Sequence, residues 1–260
     1  MRKCLMAGCA LAIAPGVWGQ YASSVISYNA GAGAVAGFNQ PTSALGEPSR
    51  VTNHQFGGPV DPFNPPFLPE QLVSLGAGGS LTLQMAAPVR NDALNPFGLD
   101  FIVYGNAGFS LDFTAGTTDG TLFSPEANST RVSVSADNVT YFTLDTSLAP
   151  NLDAYFPTDG SGTFGLPVNP LLANATAFNG DTLTGIRTKY AGSAGGTGFD
   201  LAWARDASGN AVALDSINYV RVEVLTGKAE IDGLAAVPEP STWALMGLGI
   251  VALLSKRRRA

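Results

Sequence analysis

One histidine, His54, and two cysteines, Cys4 and Cys9, are all the imidazole and thiol chemistry in this 260-residue sequence. A Ser-His-Asp relay needs imidazole, and zinc takes it together with further histidine or thiolate ligands. His54 stands in the polar segment Arg50-Val51-Thr52-Asn53-His54-Gln55 with no Gly-x-Ser-x-Gly elbow nearby, and both cysteines fall in the first ten residues. Neither a hydrolase triad nor a zinc site is therefore expected, and no catalytic residue is assigned. Oxygen chemistry remains. Asp100 opens an apolar run that Asn106 leaves, Glu126 follows in Ser124-Pro125-Glu126, and Asp200 interrupts a second apolar run. Ca²⁺ takes oxygen ligands of these types, so Asp100, Asn106, Glu126 and Asp200 form a candidate calcium set. The competing explanation is that such acids cap strand ends or accept from loop amides, and no EF-hand spacing is present. A carboxylate pair could also hydrolyse a glycoside. Between Gln20 and Ala236 there are 19 acids, however, and nothing singles out two of them. Tyr104, Tyr155 and Phe156 lie near loops, where aromatic rings could stack on sugars, whereas Trp203 reads as a core residue.

Positioning any of these groups falls to a domain with 31 Gly, 17 Pro and only 13% charged residues. That composition suits short strands joined by turns rather than a helical bundle. From Gln20 to Ala236 the chain carries 8 Lys and Arg against its 19 acids, near −11. Such a surface repels phosphates, so no nucleic-acid partner is expected. With no cysteine after position 9, the domain must be held by its apolar core.

Strand signals recur. Val73 to Gln84 reads as a turn feeding an alternating strand with Leu81 and Leu83 inward. Leu99 to Tyr104 is a nearly continuous apolar run, expected as a central strand. Arg131 to Ser135 and Val139 to Leu144 flank Asp137-Asn138, a hairpin pattern. Phe199 to Ala204 and Ala211 to Leu214 read as two strands around the turn Asp206 to Asn210. Tyr219 to Leu225 alternates, with Val220, Val222 and Val224 on one side. One short helix is expected within Asp181 to Tyr190, and Gly192 to Gly198 reads as a flexible connector. The expected fold is all-β, an antiparallel β-sandwich or jelly roll with long Gly/Pro-rich loops. An N-terminal signal helix and a single C-terminal transmembrane helix are expected to flank it.

The ends carry addresses. Arg2-Lys3 followed by Leu5 to Val17 has the charged and apolar regions of a secretory signal, with cleavage expected after Gly19. A lipoprotein reading of Met6-Ala7-Gly8-Cys9 would leave too short an apolar region. At the other end Val237-Pro238-Glu239-Pro240 breaks any helix, an apolar run follows over about 241–255, and Lys256-Arg257-Arg258-Arg259 closes it. The cations favour the cytoplasmic side of the inner membrane. The domain plan is thus 1–19 signal peptide, 20–236 surface domain and 237–260 tail.

These three parts in this order resemble the PEP-CTERM sorting tail. The resemblance implies that an exosortase reads Pro238, Glu239 and Pro240, that Lys256, Arg257, Arg258 and Arg259 form the basic end, and that the host is a Gram-negative bacterium making extracellular polysaccharide. The segments Ala44 to Pro48, Val73 to Gly76 with Gly78 to Leu83, Asp100 to Ala107, Ser124 to Glu126, Val132 to Ser135, and Phe199 to Trp203 through Asp215 to Val222 are similar to bacterial cell-surface domains of the galactose-binding-like jelly-roll type. The expectation is an exported, non-enzymatic envelope or matrix protein, membrane-tethered during sorting and possessing a glycan-binding face. A purely structural matrix component and a polysaccharide-active enzyme are the alternatives.

Overall fold

A computed structural model describes residues 21–123, 128–152, 156–174 and 176–239. The signal peptide, Glu126, Tyr155, Pro240, the apolar run at 241–255 and the basic end lie outside the described residues. The strands are β1 (Ala22–Asn29), β2 (Val51–Thr52), β3 (Gly58–Pro59), β4 (Val73–Gly76), β5 (Ser80–Arg90), β6 (Phe101–Tyr104), β7 (Gly108–Asp112) and β8 (Thr117–Phe123). They continue with β9 (Ser129–Ser135), β10 (Phe142–Leu144), β11 (Thr197–Phe199), β12 (Ala204–Arg205), β13 (Ser216–Thr226), β14 (Lys228–Ile231) and β15 (Gly233–Ala236). One α-helix, α1 (Leu183–Tyr190), and four 3-10 turns complete the regular structure among the described residues. None of these helices is long and apolar enough to cross a membrane.

The largest sheet has the order β1-β5-β13-β9-β10-β12, and a second has the order β11-β6-β15. All the named pairings are antiparallel. Period-two alternation places Leu81 and Leu83 of β5, Val132 and Val134 of β9, and Val220, Val222 and Val224 of β13 on one face of the large sheet. There they join Phe101 and Val103 of β6, Phe199 of β11, Leu234 of β15, Val73 and Leu75 of β4, and Ala229 and Ile231 of β14 in one apolar cluster. Each fully buried side chain of this size contributes about 1.5–3 kcal/mol, so the cluster carries the domain without disulfides. Strand β6 is buried along its whole length, as its unbroken apolar run requires.

A satellite cluster of Phe109, Val168, Phe178, Ile186 and Tyr190 seats α1. The Thr182 side chain caps the helix by accepting from the Gly185 N–H, and Ala191 ends it with φ 51°. Between β14 and β15, Asp232 is buried and takes the N–H and hydroxyl of Ser49 at 2.7 Å each. Burial pushes its carboxyl up to about 7 against those two hydrogen bonds.

Four local expectations are corrected. Residues 199–204 do not form one strand, because Asp200 accepts from the Ala202 N–H and winds Leu201–Trp203 into a 3-10 turn between β11 and β12. Trp203 is consequently only partly buried, packed against the edge of the main apolar cluster. Ala211 to Leu214 makes one bridge, Arg205 to Ala211, and no strand. The Asp206 carboxylate holds the Ser208 and Asn210 N–H groups in a turn there. In the β9–β10 hairpin the second strand begins at Phe142, since Asp137 captures the N–H groups of Val139 and Thr140. Gly192 to Gly198 is no flexible connector: residues 193–197 are buried. Within that segment Gly196 adopts φ +81°, and an added Cβ would lie 2.6 Å from Ile102 Cγ2 and 2.8 Å from Tyr104 Cδ1. Gly196→Ala is expected to destabilise the domain by about 3 kcal/mol or more, combining steric overlap with a left-handed backbone. Chemical denaturation would check this, and a loss below about 0.5 kcal/mol would show the segment yields freely.

Candidate functional site

Asp100 stands at the start of β6 with no exposure to solvent. Its Oδ1 accepts from the Asp92 N–H at 3.0 Å and from Asn95 Nδ2 at 2.9 Å, while Oδ2 accepts from the Leu201 N–H at 2.9 Å. Its main chain bonds on both sides, the N–H to Phe199 O and the carbonyl to the Val237 N–H, each 2.8 Å. Asp200 lies close enough beside it for its charge to bear on the Asp100 carboxyl. Desolvation, outweighing these donors and helped by the neighbouring Asp200 charge, lifts the Asp100 carboxyl to about 6. Burial also raises Asp200, against its bond from Ala202. The Asp200 charge thus favours the protonated form of Asp100.

Among the described members of the candidate calcium set, Asp100 and Asp200 lie side by side. Asn106 follows the far end of β6 and donates to Glu230. The four strand residues between put ~13 Å or more between Asn106 and Asp100, too far for one cation with ~2.5 Å bonds. Glu126 lies outside the described residues. Among the described residues no group of three or more His, Cys, Asp or Glu could hold a metal. His54 packs between the rings of Phe56 and Phe67, both 5.6 Å away, and its Nδ1 accepts from the Phe56 N–H.

The aromatic candidates separate likewise. Tyr104 is fully buried, edge-on to Phe164, with its hydroxyl accepting from the Gly165 N–H. Phe156 is packed with Phe178 and Tyr190. Trp203 lines a cavity of about 250 Å³ with Phe97, Leu99, Leu148 and Val168, an apolar cleft with few groups to orient a sugar.

A site missed in the sequence lies on the outer face of the large sheet, which none of the buried clusters covers. Alternation that sends the valines inward sends Tyr219, Arg221 and Glu223 of β13 outward. Tyr219 is opposite Gln84 and Ser135; Arg221 is opposite Thr82 and Ser133, with Thr143 next along the row. The Arg221 guanidinium carbon lies 3.7 Å from the Tyr141 ring centre, and Nε donates to the Thr82 hydroxyl at 3.1 Å. Arg131 makes two bonds to Glu223 directly opposite it. No ion pair among the described residues uses Arg221. The signal was legible as the wet half of Tyr219 to Leu225, but only pairing brings Tyr141, beside β10, across β9 to Arg221.

The tail leaves from the Asp100 end. Strand β15 ends at Ala236, Val237 is buried against Ile102, Tyr104 and Phe164, and Glu239 pairs with Arg90 at 3.0 Å. The pair is exposed, so it is worth ~0–1 kcal/mol.

Comparison with known families identifies the PEP-CTERM protein-sorting motif at residues 236–259. The motif supports an exosortase substrate and implies export and sorting at the membrane of a Gram-negative bacterium. No curated protein matches the chain.

Asp100, Asp200 and Asp232 all have folded-state carboxyls above the ordinary value of ~3.9, so the native chain holds their protons longer than the unfolded one. The stability they contribute is complete below pH ~4 and is lost as pH rises, through about 6 for Asp100 and about 7 for Asp232. Asp200→Asn keeps an acceptor for Ala202 and offers Asp100 a donor. It is expected to raise stability at pH 7 by roughly 1 kcal/mol and to flatten the decline between pH ~4 and ~6. Thermal melts across that range test this. A parallel profile would show the acids uncoupled, and a midpoint raised by Ca²⁺ would assign them to a cation instead.

Proposed function

We propose that the chain is a non-enzymatic envelope protein, sorted by an exosortase, whose domain is a jelly-roll-type sandwich that holds extracellular polysaccharide on the outer face of its large sheet. The shared apolar cluster beneath both sheets supports the sandwich. The observation that carries the binding reading is the Tyr219, Tyr141 and Arg221 group on a face that also presents Gln84 and Thr143. Sugars offer C–H faces that pack on aromatic rings and hydroxyls that bond to amides and hydroxyls. A guanidinium in no ion pair among the described residues adds a fork for a carboxylate, so acidic sugars fit this face best. The domain is acidic overall, so recognition must be local to Arg221 rather than steered by net charge.

The final location on this reading is the cell surface or its matrix, after tethering at the inner membrane. The histidine held between two phenylalanine rings and the carboxyl pair spent on loop amides support a binding role over hydrolysis.

Binding of the full chain in detergent to alginate, with dextran as a neutral comparison, tests the reading. Alginate retention is expected to exceed dextran retention. Arg221→Ala and Tyr219→Ala are each expected to weaken it about tenfold, or ~1.4 kcal/mol. Retention by neither polymer favours the structural role. Retention unchanged in the double variant removes this face from consideration, and release of new reducing ends would make the protein an enzyme.

A further inference from the structure

The polar face leaves the loop Asn91–Leu99, between β5 and β6, without a role. Both of its ends hold the tail. Arg90, just before it, pairs with Glu239, and Asp100, just after it, takes the Val237 N–H. Two large apolar side chains on it face solvent, Leu94 at 79% exposure and Phe97 at 52%. The loop keeps this shape against two local penalties. Phe97 has φ 60° and ψ 14°, a region bulky residues avoid. Asn95, whose Nδ2 is fastened to Asp100, has its buried Oδ1 without a partner. Such strain persists where the surrounding structure enforces it, and it concentrates at working parts of a surface.

The chain beyond Glu239 says what covers the loop. Only three residues separate Glu239 from Trp243, where a run of apolar residues and glycines begins, a reach of at most ~14 Å over four residue steps. We propose that Leu94 and Phe97 form a membrane-contact loop that rests in the lipid surface into which the tail passes, so that the domain sits directly on the bilayer at this end. The proposal rests on the reading that the tail enters a membrane. Phe and Leu are suited to the shallow headgroup boundary. The attraction is apolar, because a domain near −11 is not drawn to an anionic leaflet and Arg90 is engaged by Glu239. Contact should therefore be insensitive to salt.

The test uses the full-length chain with Cys4 and Cys9 replaced by Ser. A single Leu94→Cys or Phe97→Cys carries an environment-sensitive dye, and the chain is reconstituted into phosphatidylethanolamine–phosphatidylglycerol vesicles. Phe113→Cys, on the β7–β8 turn beyond the Tyr104 end of β6, is the reference. Dyes at 94 and 97 are expected to shift to shorter wavelength and lose most of their emission to brominated lipid, at low and high salt alike, while the dye at 113 does neither. Protein that fails to float with the vesicles removes the tail-in-membrane premise. Protein that floats with all three dyes in water overturns the loop proposal alone. Equal quenching at 113, or the same shift without lipid, which a second copy of the chain would cause, also overturns it.

Discussion

The buried carboxylate of Asp100 is the constraint on which this end of the molecule depends. A carboxyl removed from water is unfavourable by several kcal/mol unless its oxygens are bonded, and here three donors from three places converge on it. Those donors fix the β5–β6 loop, the Asn95 side chain and the 3-10 turn after β11. The same residue joins β11 to β6 and β6 to the departing tail through its own main chain. Moving Asp100 would therefore disturb the loop that presents Leu94 and Phe97, the turn that presents Trp203 and the anchor of Val237 together. Its half-buried neighbour Asp200 adds a second negative charge nearby, which favours the protonated form of Asp100.

That geometry changes how the tail should be seen. The sorting motif begins at Ala236, inside the last strand of the domain, and Val237 is packed into the small cluster around Phe164. Folded domain and sorting signal thus overlap, with no flexible spacer between them. An enzyme reading Pro238 and Glu239 meets the domain's end as well as a peptide, and must either accept that bulk or peel the last residues from β6.

Much of the fold was legible because burial imposes strict periods. The valines of β13, the leucines of β5 and the unbroken run of β6 declared themselves, and α1 lies within the segment expected to hold one short helix. What stayed hidden was local competition for backbone amides. Asp200, Asp206 and Asp137 each capture N–H groups that a strand ladder would otherwise use, and apolar runs beside them fail to extend. Strand β1 escaped notice because its burial follows no clean alternation and its register to β5 shifts twice. The glycines at 195 and 196 suggested freedom, yet the lack of side chains there lets the Pro157 carbonyl approach Gly195 and lets Ile102 and Tyr104 approach Gly196. For the site, residue type alone grouped Asn106 with Asp100. One fully extended strand, with its fixed rise per residue, is enough to separate them.

The two surfaces argued for differ in chemistry and in placement, and the strands relate them. Strand β5 reaches the tail end at Arg90, opposite Ser216 of β13, and its other end, Ser80, lies opposite Glu223. Eleven residues of strand span about 35 Å, so the large sheet rises away from the end where the chain leaves. An apolar rim at that end and a polar face along the rising sheet do not compete for one partner. With the rim against lipid, Tyr219 and Arg221 face sideways and outward, where a polymer lying outside the membrane can meet them. The acidic remainder of the surface then acts by repulsion, keeping anionic headgroups off the sheet and leaving the hold on lipid to the short tail and the loop beside it.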